Sequence, residues 1–139
     1  MSTAPGSLTF KQGDATAINS GILVHVCNDL GAWGKGFVLC VGRAFPEARA
    51  AYLAQATYPL GSCTFVPTRR GILVANLIGQ HDIKRSPRQP PPIRYDAIAD
   101  GLALVAQRAL AEGLEVHMPR IGCGLAGGSW DKIEPLVRE

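Results

Sequence analysis

The segment MPRIGCGLAGGSW, Met118 to Trp130, places four glycines (Gly122, Gly124, Gly127 and Gly128) within seven positions, with only Cys123, Leu125 and Ala126 between them. It follows a short strand-like run, Leu114 to Met118, and precedes a helix-like tail from Trp130 to Glu139. Closely spaced glycines turn bare backbone N–H groups toward the inside of a tight curve, where no side chain holds a ligand away. Ser129 stands where an N-cap belongs, so the curve runs into the positive end of a helix. Strand, glycine curve and helix N-terminus together make a phosphate-binding arrangement. An ordinary glycine-rich connection is the plainer alternative. No Gly-Lys-Ser/Thr follows, which excludes a P-loop, and the spacing is not that of a dinucleotide fingerprint.

Upstream, GILVHVCN (Gly21 to Asn28) is a near-continuous apolar run, the pattern of a strand covered on both faces. It ends in a second glycine segment, Asn28 to Gly36. A short helix is expected from Phe37 to Phe45, and Pro46 opens a second one running to about Tyr58. Cys63–Pro67 and Ile72–Ile78 are predicted strands joined by the hairpin-type turn Thr68 to Gly71. Residues 79–93 form a long polar loop with Pro87, Pro90, Pro91 and Pro92; loops of that length in small domains carry function or move. Arg94 to Glu112 is a predicted helix with Ile98, Leu102, Val105, Ala109 and Leu110 on one face and Gly113 as its stop. Leu8 to Lys11 reads as a first strand, ending at Gly13-Asp14. Strands alternating with helices define an α/β layered domain with a mostly parallel sheet. Both glycine segments then follow strand C-termini, where such sheets bind ligands, and two phosphate-friendly loops at one edge imply a diphosphate.

The 139 residues read as one domain, residues 1–139, with no internal repeat. Hydrophobic residues make up 47% and charged residues 18%, the balance of a folded protein and not a disordered one. A net charge of +3, much of it from Lys84, Arg85, Arg88 and Arg94 in one loop, gives no global nucleic-acid footprint. No apolar run is long enough to span a bilayer, and the start MSTAPGS lacks the features of a signal peptide. Cys27, Cys40, Cys63 and Cys123 form no CxxC pair, so buried free thiols in a cytoplasmic protein are expected, with no metal site.

Taken together, these residues resemble a macro domain. The likeness covers nearly the whole chain: Gly13-Asp14, the strand ending in Asn28, the Trp33-Gly34-Lys35-Gly36 loop, and MPRIGCGL followed by Ser-Trp at a helix start. It is similar to the branch containing the terminal ADP-ribose–glutamate hydrolases and the DNA-ADP-ribose-removing antitoxins. His25-Val26-Cys27-Asn28 with Trp33-Gly34 also resembles the yeast-type ADP-ribose-1″-phosphatases. The resemblance implies a single three-layer α/β/α macro domain with a mixed, mostly parallel sheet, binding ADP-ribose in a crevice at the C-terminal edge of the sheet. By motif, Asp14 would accept a hydrogen bond from the adenine amino group. Asn28, Asp29, Trp33, Gly34, Lys35 and Gly36 would line the distal ribose. Gly122, Cys123, Gly124, Leu125, Ala126 and Gly127 would cradle the diphosphate. A carboxylate suits an exocyclic amine, and glycine amides suit phosphate oxygens.

Departures from the family pattern bear on mechanism. The lysine of the lysine-dependent branch aligns with Gln80, which has no nucleophilic amine, and Lys84 lies four residues later. That branch's acidic partner falls on Ala126, and the aspartate of a second branch falls on Val38. The family's last strand has no counterpart before Glu139. A water-based mechanism is expected, with Asn28, His25 and Gln80 as candidate catalytic residues and Asp29 and His81 as alternatives near the ribose. For His25, inside an apolar strand, a satisfied core residue is the plainer reading. Three functions remain open: a hydrolase removing ADP-ribose from ester-linked acidic side chains, a non-catalytic ADP-ribose reader, and an ADP-ribose-1″-phosphate phosphatase. The implied partners are ADP-ribose or ADP-ribosylated protein, with nucleic acid only as an ADP-ribosylated substrate, no membrane and no cofactor.

Overall fold

A computed structural model describes residues 15–34, 36–81 and 93–119. The expected first strand at Leu8 to Lys11, the polar loop from residue 82 to 92 and the tail helix after Trp130 lie outside the described residues. The elements in order are β1 (Ile22–Asn28), α1 (Phe37–Ala44), α2 (Pro46–Leu53), β2 (Cys63–Pro67), β3 (Leu73–Gln80), α3 (Tyr95–Glu112) and β4 (Val116–His117). They form one sheet in the order β2-β3-β1-β4. β1 runs parallel to β3 and to β4, while β2 pairs antiparallel with β3. The sheet is mixed and mostly parallel, as the alternation of elements predicts.

Period-two alternation along β1 divides the core into two layers. Ile22 and Val24 join Ala75, Leu77, Ile98, Leu102 and Val105 beneath α3. Leu23 and Cys27 join Val74, Ile78, Val41, Phe45, Ala48 and Tyr52 beneath α1 and α2. Burying one such aliphatic or aromatic side chain contributes about 1.5–3 kcal/mol, more than a typical hydrogen bond at about 1 kcal/mol. That ranking explains β4. It pairs only Val116 and His117, against Ile22 and Leu23, so Leu114, Val116 and Met118, packed on the α3 layer, hold it in place. The predicted strand from Leu114 to Met118 is correspondingly cut to two residues.

Close approach of α3 to the sheet depends on Gly101, which is buried over Leu77. A Cβ at Gly101 would lie 2.3 Å from Leu77 Cγ, so only glycine fits. Gly113 ends the helix in the left-handed region (φ 64°, ψ 39°), its N–H bonded to the Ala109 carbonyl. Leu110 is 62% exposed and not on the core face as expected. The buried stripe is Ala97, Ile98, Gly101, Leu102 and Val105, and five residues beyond Val105 at 100° per residue carries a side chain off that stripe.

The second helix also differs from expectation, stopping at Leu53 and not near Tyr58. Tyr58 folds back and donates its hydroxyl hydrogen to the Tyr52 carbonyl at 2.8 Å, and Pro59 disfavours helical backbone at the residue before it. β3 runs two residues further than predicted, to Gln80. Cys27 is buried as expected, but Cys40 and Cys63 are partly exposed; all three are free thiols. Among the described residues, no helix is long and apolar enough to cross a membrane.

Candidate functional site at the C-terminal edge of the sheet

The parallel strands β1 and β3 end side by side. Their register slips between Cys27 and Asn28, so that Asn28 faces Gln80, and the Asp29 N–H donates to the Gln80 carbonyl at 3.0 Å. β4 is parallel to β1 and pairs with its first two residues, Val116 with Ile22 and His117 with Leu23. Asn28, Asp29 and Gln80, chosen from sequence as site residues, are therefore neighbours. His81 joins them from the end of β3.

Asn28 holds the loop that follows it. Its Oδ1 accepts the N–H groups of Leu30 (3.0 Å) and Ala32 (3.1 Å), and its Nδ2 donates to the Ala32 carbonyl at 2.7 Å. Short polar side chains favour such local bonds, which substitute for a backbone turn. The Tyr52 hydroxyl, reaching over from α2, lies 2.7 Å from the Asn28 carbonyl and 2.9 Å from Oδ1. Burial pushes the Tyr52 pKa upward, with neighbouring Cys27 adding to the shift, so the phenol remains a donor. Asn28 is thus committed to shaping the loop.

Trp33 is only 8% exposed. Its ring meets His25 edge-on at 5.3 Å and Tyr52 at the same centroid distance, and Tyr52 in turn packs on Tyr58 at 4.7 Å. These ring contacts pin the loop to the core through Trp33. Its Nε1–H has no hydrogen-bond partner among the described residues and lies against Gly42, where a Cβ would come within 2.9 Å. Gly34 and Gly36 are exposed. Gly36, at φ 84° and ψ −153°, precedes α1 in a conformation suited to glycine, and no side chain caps the helix. Among the described residues, no side-chain acceptor caps the first amides of α1 at the end of this glycine loop.

His25 lies inside the α1–α2 layer, 1% exposed. Asn76 Nδ2 donates to the Ala48 carbonyl at 3.0 Å, which leaves Asn76 Oδ1 as the acceptor for His25 Nε2–H at 2.5 Å. Burial lowers the His25 pKa from 6.5 to about 4 against the opposing pull of Asn76. The ring is a neutral, fully bonded core group. Burial likewise pushes the Cys63 thiol up to about 12 and raises Cys27 well above its usual range, so neither supplies a thiolate.

At the rim of the edge, His81 Nδ1 lies 2.7 Å from Asp29 Oδ2, the imidazole 54% exposed and the carboxylate 17%. Asp14, Lys35, Gly122, Cys123, Gly124, Leu125, Ala126 and Gly127 lie outside the described residues. Sequence reading missed Tyr52 and Asn76. A tyrosine on a helix and an asparagine inside an apolar strand carry no local signal of what they reach across the fold. A surface pocket of about 280 Å³ lined by Thr16, Cys40, Arg43 and Ala44 shares no residue with this edge.

No protein-family profile matches the chain. It is similar to a macrodomain protein from Streptomyces coelicolor, at 45% identity over 91% of this chain and 85% of that one, with a TM-score of 0.75. An ADP-ribose 1″-phosphate phosphatase from Candida albicans is 24% identical over 125 residues, 85% of this chain and 80% of the relative. A DNA ADP-ribosyl glycohydrolase from Thermus aquaticus is 26% identical over 136 residues, 95% of this chain and 37% of that protein. The layered α/β fold and these likenesses agree: the chain belongs to the macrodomain family.

Proposed function

We propose that this protein binds ADP-ribose at the C-terminal edge of its sheet and hydrolyses it from ester-linked acidic side chains of modified protein, using a water and no catalytic lysine. The observation that carries the reading is the loop from Asn28 to Gly36. Asn28 and Tyr52 set its shape, Trp33 anchors it, and it ends at the uncapped N-terminus of α1. Such a loop presents donors to anionic or hydroxyl oxygens without rearranging. Asp14 for the adenine and Gly122 to Gly127 for the diphosphate complete the site in this proposal. Gln80, at the strand end beside Asn28, offers an amide where a lysine-dependent hydrolase has an amine. An activated ester needs a positioned water more than a strong nucleophile.

Of the relatives named for ADP-ribose chemistry, the one from Candida albicans is a phosphatase and the one from Thermus aquaticus a DNA glycohydrolase. The first supports a phosphatase on ADP-ribose-1″-phosphate as the second reading, and the other makes ADP-ribosylated DNA a further substrate to assay. Calorimetry should show ADP-ribose binding far more tightly than adenosine; equal affinities would remove the phosphate cradle. Gly124→Val should abolish binding by placing branched carbons where phosphate oxygens approach. Release of ADP-ribose from glutamate-modified protein, run beside phosphate release from the monoester, separates hydrolase from phosphatase. Binding with neither reaction would leave a reader.

A further inference from the structure

From the joined ends of β1 and β3, we infer that Asp29 and His81 form a proton-transfer pair in which His81 is the catalytic base and Asp29 its positioning residue. The inference rests on the hydrolase reading above and names the group that activates its water. The two residues are far apart in sequence and come from different loops, yet His81 Nδ1 and Asp29 Oδ2 lie 2.7 Å apart. Asp29 is fixed by its own backbone N–H on the Gln80 carbonyl, and Gln80 directly precedes His81. Both partners are therefore set by the strand ends and not by the reach of long side chains.

A carboxylate can only accept, so Nδ1 carries the hydrogen and Nε2 of the neutral ring carries a lone pair. Among the described residues, no protein atom bonds to Nε2. The carboxylate is mostly covered while the imidazole is 54% exposed, so the ring edge is open to water and ligand. A base with one nitrogen oriented by a carboxylate and the other available is the arrangement general-base chemistry requires. His25, the imidazole on β1, is excluded by its burial and its bond to Asn76.

In the step, a water oxygen forms a bond to the anomeric carbon of the distal ribose, while the bond from that carbon to the ester oxygen breaks. Its electron pair leaves on the carboxylate of the modified side chain. One water hydrogen remains as the new hydroxyl of ADP-ribose; the other passes to His81 Nε2 and then to solvent. A carboxylate leaves without needing a proton, so a single base suffices.

The test uses the full chain and glutamate-ADP-ribosylated protein, with calorimetric ADP-ribose affinity measured on every variant. His81→Gln should lower kcat on the order of a hundredfold while affinity stays within about twofold. Asp29→Asn should lower kcat by about tenfold, and the double variant should be no slower than His81→Gln alone. Added imidazole should restore part of the rate to His81→Ala, which a merely structural histidine does not allow. A His81→Gln variant keeping more than about half of the wild-type rate would overturn the pair's catalytic role. So would a rate loss matched by an equal loss of affinity, or no rescue by imidazole. Wild type that binds ADP-ribose yet releases none from the ester would instead overturn the hydrolase reading itself, and this inference with it.

Discussion

The Tyr52 hydroxyl lies within 2.9 Å of both oxygens of Asn28, the backbone carbonyl and Oδ1, joining helix α2 to the loop that begins at the end of the central strand. Tyr52→Phe keeps the ring between Trp33 and Tyr58 and deletes this link together with the hydroxyl's bonds to the backbone of Gly31 and Ala32. Stability should fall by about 0.5–1.5 kcal/mol in urea unfolding. Fluorescence of Trp33, read in a Trp130→Phe background, should show a loosened loop. An unchanged midpoint and an unchanged spectrum would show that the loop holds its shape without the phenol.

Asn28 makes more of the loop's bonds than any other side chain described. Asn28→Ala should weaken ADP-ribose binding and, if the protein is a hydrolase, cost on the order of a hundredfold in rate, because displacing bound groups by about 1 Å has effects of that size. Asn28→Asp keeps the acceptor for Leu30 and Ala32 but loses the donor to the Ala32 carbonyl. It should fall between wild type and alanine in calorimetry. Equal affinity in all three proteins would remove Asn28 from the site.

His25 imposes a pH dependence. Folded, it stays neutral down to about pH 4; unfolded, it titrates at 6.5. Above 6.5 both states are neutral and stability is full. As pH falls toward 4 the unfolded chain takes up a proton that the folded core refuses, so stability declines by up to about 3 kcal/mol and then levels off. His25→Gln can still donate to Asn76 Oδ1 and does not titrate. Its urea-unfolding free energies should lose this component of the acid-side decline. Parallel profiles for the two proteins would show that His25 keeps its solution pKa in the fold.

Gly101→Ala should destabilise the domain by about 1–3 kcal/mol through overpacking against Leu77. Leu77→Ala in the same chain should make the added methyl harmless, so the double variant is no less stable than Leu77→Ala alone. Thermal unfolding reads this directly. Independent, additive losses would mean that helix α3 shifts away and does not collide with Leu77.

For the proposed hydrolase, the amide of Gln80 in place of a lysine predicts that borohydride trapping during turnover yields no ADP-ribosylated enzyme. Lys84→Ala should keep most of its activity. A trapped adduct on Lys84 would replace the water mechanism with a covalent one.

The apolar run into Asn28, the proline opening α2, the left-handed glycine after α3 and the glycine segment up to Gly36 were all legible as sequence. Each is a local matter: burial on both faces, a fixed φ, a missing Cβ. The likeness to a macro domain was legible for the same reason, since loop motifs must keep their residues together along the chain. What Asn28 and Trp33 do within the fold was not, and of His25 only its place in the core was. An asparagine at a strand end looks ready for a ligand, yet here its polar atoms are spent on Leu30, Ala32 and Tyr52. Trp33 sits among glycines and still drives into the core, because burying an indole outweighs leaving it in a loop. His25 is neutral because burial in a dry layer disfavours its charged form, and its Nε2–H is accepted by Asn76, fifty-one residues away. The meeting of Asp29 with His81 is of the same kind. Backbone preference acts within a few residues, so sequence determined the elements; which polar atoms are consumed and which stay available depends also on partners the tertiary fold supplies, Tyr52 of α2 for Asn28 and, through the parallel pairing of β1 with β3, Asn76 for His25 and His81 for Asp29.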